Sequence, residues 1–76
     1  MKDETLEKAI LAAHEAEDLE ALARLYAKAG EEMEEGGFIN KACFFYTISY
    51  VFALDSGLED TVRFTHGKLV QYGREE

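Results

Sequence analysis

Eighteen consecutive residues, FINKACFFYTISYVFALD at positions 38–55, contain neither glycine nor proline. Their Phe, Tyr, Val, Ile and Thr content favours a strand by propensity. Strands, however, usually run about 5–6 residues, so a run of this length reads as a helix. Ala42, Phe45, Tyr46, Ser49 and Phe52 make one helical stripe, and Phe44, Ile48 and Val51 make a second beside it. A helix that is apolar most of the way round is buried on several sides. It is therefore expected at the centre, flanked by others.

The flanking sequence supplies three more helices. Residues Asp3 to Ala16 place Leu6, Ala9, Ile10 and Ala13 on one stripe, with Asp3 and Glu4 at the end where the helix dipole favours acids. Lys8 follows Glu4 by four residues, a weakly favourable pair. Asp18 is a good N-cap for a second helix, Leu19 to Glu35, whose apolar stripe is Leu22, Leu25, Tyr26, Ala29 and Met33. Gly30 lies inside that stripe, where glycine costs about 1 kcal/mol of helix stability relative to alanine. Such a glycine marks the close approach of another backbone. Gly36-Gly37 ends the helix. Ser56 and Glu59 have capping-box spacing before a fourth helix, Leu58 to Tyr72. Leu58, Val62, Leu69 and Val70 carry its apolar face, with Phe64 and Tyr72 partly used. Gly73 ends it, and Arg74-Glu75-Glu76 is expected to fray.

The links are two or three residues long, which forces antiparallel neighbours. The expected fold class is all-α: four antiparallel helices in a single domain of 76 residues. They form either stacked helical hairpins or an up-down four-helix bundle.

Charge narrows the partners. Sixteen acids face eight bases, a net charge of −8. Eleven of the acids and four of the bases lie in residues 1–37, which carry nearly all of that charge. Such a chain is ill suited to phosphate backbones and anionic membranes, so neither nucleic acid nor a membrane is an expected partner. The single cysteine, Cys43, cannot form an internal disulfide, which points to a reducing, cytoplasmic compartment. No stretch reads as a signal peptide or a spanning helix.

The second and third helices resemble one tetratricopeptide repeat over residues 23–56. That family's period is about 34 residues, with aromatic and small residues at fixed places. Tyr26 stands at the first aromatic place, Ala29-Gly30 at the Leu-Gly place, and Met33 where a tyrosine is usual. Gly37 fits the turn, Ala42 and Tyr46 the alanine and aromatic of the second helix, and Ser49 the next small position. No proline follows the second helix of the unit, which departs from the pattern. Small residues at Gly30, Ala42 and Ser49 would let the two helices approach, with Tyr26 and Tyr46 filling the gap around the contact.

The resemblance implies a non-enzymatic protein-interaction module, in which the first helix of each repeat lines a groove for a peptide or protein segment. By position, the groove-facing residues are Arg24, Ala27, Lys28, Glu31, Glu34 and Glu35. Acids at a helix C-terminus oppose the dipole, and together they would favour a basic partner. The third helix offers more apolar surface than its neighbours can cover, so a homodimer, or a dimeric bundle serving as subunit or regulator of an enzyme, is the alternative.

No residue set demands catalysis, a metal or a cofactor. His14-Glu15 lacks the second histidine four residues on, where Asp18 stands. His66 has no evident partner for proton transfer. Cys43 lies in an apolar run and reads as a buried, inert thiol. Gly36-Gly37 lacks the lysine and hydroxyl of a phosphate-binding loop. Phe44-Phe45-Tyr46 has no interleaved bases and reads as core, not as a stacking platform.

Overall fold

A computed structural model describes residues 2–74, with side chains from Thr5 to Arg74. The expected Glu4–Lys8 pair and the end at Glu75-Glu76 lie outside the described residues. The four helices are α1 (Lys2–Ala16), α2 (Leu19–Glu35), α3 (Ile39–Ser56) and α4 (Glu59–Gln71), and there is no strand among the described residues. Helix α2 packs most extensively on α3, α4 packs on α3 and touches α2, and α1 packs on α2. Among the described residues the α1 and α4 backbones do not meet. The result is an open stack with the α2–α3 hairpin at its centre, a slab 32 × 30 × 15 Å.

The three links share one construction. Glu17, Gly37 and Gly57 are left-handed, with φ of 53°, 86° and 74°. The next N–H donates back across the turn: Asp18 to the Ala13 carbonyl at 2.9 Å, Phe38 to Met33 at 2.9 Å and Leu58 to Ala53 at 3.0 Å. Those same residues then accept the first bond of the following helix, from Leu22, Ala42 and Val62, each at 2.9 Å. One residue thus closes a helix and opens the next. Only Asp18 adds a side-chain cap, accepting from the Ala21 N–H at 3.1 Å.

The expected Ser56–Glu59 capping box does not form. Ser56 is the last residue of α3, and its hydroxyl donates to the Phe52 carbonyl at 2.8 Å. The left-handed turn at Gly57 moves the N-cap to Leu58. Phe38 likewise caps α3 instead of belonging to it.

Glu17 is the one described non-glycine residue at positive φ. A Cβ in that conformation is strained. Glu17→Gly is expected to raise stability by about 0.5–1 kcal/mol, net of the added freedom of the unfolded chain. A thermal melt reads this as a rise of a few degrees, and a fall would mean that no strain is held there.

Small residues dominate the interior. Ala13, Ala23, Ala29, Gly30, Ala42, Ser49 and Ala53 are buried, with Leu22, Tyr46 and Leu69 as the large side chains among them. Close approach of the helices follows from that choice. The Ser49 hydroxyl donates across the α2–α3 contact to the Ala23 carbonyl at 2.6 Å, which satisfies a fully buried hydroxyl. Cys43 is buried, as its setting predicts.

Helix α3 is covered on two sides only, and the surplus of apolar surface expected of it is seen: Phe44 is 63% exposed, Val51 50% and Leu54 53%. One expectation about faces changes. On α4 the inward residues are Thr65 and Leu69, while Val70 faces out. Thr65 escapes a search for apolar periodicity because its hydroxyl is satisfied within the helix, donating to the Thr61 carbonyl at 2.8 Å.

Candidate functional site

The left-handed turns set α2 and α4 side by side on one face of the slab, each packed on α3 behind them. Between them runs an open groove. Arg24, Ala27, Lys28 and Glu31 line it from α2, and Asp60, Thr61 and Phe64 line it from α4. Four positions expected to face a groove are therefore brought together. The α4 wall had no signal in the sequence, since nothing there marks Asp60, Thr61 and Phe64 as companions of α2.

The groove carries mixed charge. Arg24 lies 3.7 Å from Glu20, one turn back on α2. Asp60 is held by Arg63 at 2.7 Å. Both pairs are well exposed, so each contributes little to stability. Lys28 has no ion-pair partner among the described residues. The Phe64 ring stands edge-on to Tyr46, at 5.8 Å between centroids, and extends the core to the groove floor.

Glu34 and Glu35 are placed differently from the other expected residues. Glu35 is exposed at the end of α2 and does not line the groove. Glu34 turns inward and is committed within the fold. Its carboxylate accepts from the Tyr46 hydroxyl at 2.6 Å and from the Tyr72 hydroxyl, and Lys68 Nζ lies 3.0 Å away. One side chain thereby ties α2 to α3, α4 and the residue that ends α4. The hydrogen bonds from Tyr46 and then Tyr72 hold the Glu34 carboxyl below its ordinary value; partial burial works against them and Lys68 with them. Burial, helped by the bond to Glu34, pushes the Tyr46 phenol well above its usual range. The bond to Glu34 is also the main cause of the upward shift of Tyr72.

The histidines serve packing contacts. His14 Nε2 is 3.0 Å from the Tyr26 hydroxyl and its ring meets Phe52 edge-on. His66 stacks on Tyr50 with centroids 6.0 Å apart. Among the described residues no three His, Cys, Asp or Glu side chains are grouped to hold a metal ion. No described helix is long and apolar enough to cross a membrane.

No protein-family model, curated protein or solved structure matches this chain.

Proposed function

We propose that the protein is a small, non-enzymatic interaction module of tetratricopeptide-like form whose α2–α4 groove takes a peptide segment of a partner protein. The observation that carries the reading is the convergence of Arg24, Lys28 and Glu31 with Asp60, Thr61 and Phe64 on one open groove. In the family that the α2–α3 hairpin resembles, the first helices of successive repeats provide such a wall, and α2 and α4 occupy those places. Both signs of charge line the groove, so it suits a segment carrying both, with Phe64 offering an apolar contact. Glu35 lies outside the groove lining, and Glu34 is already engaged by Tyr46, Tyr72 and Lys68.

Selection from a random peptide display library tests this. Peptides enriched on the wild-type protein are expected to lose about tenfold in affinity when Lys28 and Glu31 are both reversed in charge, equivalent to about 1.4 kcal/mol. Enriched peptides that ignore Arg24, Lys28, Glu31 and Phe64 substitutions would refute the groove as the binding face.

A second reading, a homodimeric helical subunit, draws on the exposed Phe44, Val51 and Leu54 of α3. That face carries no charge between Ala42 and Leu54, so two copies would meet there without bringing their acidic halves together. Sedimentation equilibrium with and without Phe44→Lys decides between monomer and dimer.

A further inference from the structure

On the other side of α2 from the groove lies a second concavity, an apolar trough where α1 leans on the α2–α3 hairpin. Leu6 and Ile10 of α1, Met33 of α2 and Phe45 of α3 line it, and the small Ala29 lies in its floor. These large side chains are only half-buried, because α1 packs chiefly on α2 and, among the described residues, its backbone does not approach α3. Among the described residues, the charged side chains that line the trough are of one sign: Glu7 on α1 and Glu32 on α2. Neither forms an ion pair among the described residues.

We propose that this trough is a docking site for an amphipathic helix of a partner protein whose apolar face is flanked by lysine or arginine. A helix fits a trough between helices by laying its apolar stripe along the floor. Here the stripe would meet Leu6, Ile10, Met33 and Phe45, and the flanking cations would meet Glu7 and Glu32. The charge argues against two copies paired trough to trough, because residues 1–37 of the second copy would then bring eleven acids and four bases towards an acidic rim. The site is separate from the α2–α4 groove, since it uses Met33 and Glu32 instead of Arg24, Lys28 and Glu31.

The probe is a synthetic helical peptide of leucine and lysine with leucines on one face, read by fluorescence anisotropy. Its control is a peptide of the same composition in scrambled order, which keeps the charge and loses the apolar face. The amphipathic peptide is expected to bind at least about tenfold more tightly than the control. Ile10→Asp should remove that preference. Reversing Glu7 and Glu32 together should weaken binding about tenfold and flatten its salt dependence. Reversing Lys28 and Glu31 in the other groove should leave it unchanged, which separates failure of this site from failure of the groove. Circular dichroism confirms that each variant folds, and Met33→Asp repeats the Ile10 test from α2 should that variant unfold. Equal binding of both peptides, or binding indifferent to Glu7 and Glu32, would overturn the proposal. So would a dimer in sedimentation that Ile10→Asp dissociates, because the occupant would then be a second copy.

Discussion

Gly30→Leu is expected to lower stability by about 2–4 kcal/mol. A Cβ built at Gly30 would stand 2.6 Å from Cδ1 and Cε1 of Tyr46 and 3.0 Å from Cζ. The ring cannot step aside. Tyr46 is fully buried, its hydroxyl is held by Glu34 at 2.6 Å, and its edge meets Phe64. A domain of this size has about 5–10 kcal/mol in hand, so the change removes a large share of it. A thermal melt would record a fall of about 10–25 °C. Gly30→Ala separates the two opposing effects: alanine gains about 1 kcal/mol of helix propensity but meets the same ring. In a Tyr46→Leu background the contact is gone, and Gly30→Ala should become neutral or stabilising. A Gly30→Leu variant that melts with wild type would remove the close approach of α2 and α3 as the organising contact.

Glu34→Ala is expected to cost about 2–3 kcal/mol, chiefly because the buried Tyr46 hydroxyl loses its acceptor. Tyr72 and Lys68 are more exposed and find water instead. The pH dependence has a definite sign. The folded carboxyl has a lowered pKa, so its contribution is present above the unfolded value of about 4.3 and is lost as pH falls through the folded one. The difference between wild type and Glu34→Ala in urea unfolding should therefore be constant from about pH 5 to 8 and shrink below about pH 4. At the alkaline end the sign reverses. The Tyr46 phenol is favoured in its protonated form, so stability present below the ordinary tyrosine value of about 10 is lost as pH rises beyond it. Tyr46→Phe should reduce that alkaline loss. A Glu34→Ala variant equally destabilised at pH 3 and pH 7 would contradict the hydrogen-bonded carboxylate.

What the sequence discloses follows from which forces act locally. Helix periodicity and the glycines at 37 and 57 are local, and the four helices stand within one or two residues of their expected limits. Gly30 is legible because a glycine in an apolar stripe has few other uses, and Tyr46 proves to be its partner. Glu34 is the opposite case. It sits in a run of acids, and only the arrival of Tyr46, Tyr72 and Lys68 from twelve to thirty-eight residues away sets it apart from the exposed Glu31 and Glu35. Its spacing of twelve from Tyr46, across a short link, is the one local hint. Thr65 is hidden for a related reason: a hydroxyl that finds a helix carbonyl can be buried, and apolar periodicity does not reveal it, whereas Ser49 is legible as a small residue at the α2–α3 contact. That α3 leaves apolar surface uncovered is legible in its composition; that Phe44, Val51 and Leu54 are the residues left outside is set by where its neighbours pack.

The most direct measurement of the proposed binding role is an amide chemical-shift map of the isotope-labelled protein titrated with a peptide selected on it. The proposed function predicts that the largest shifts fall on Arg24, Ala27, Lys28 and Glu31 of α2 and on Asp60, Thr61 and Phe64 of α4, the walls of one groove. Shifts that leave those seven residues unmoved, at saturating peptide, would contradict it.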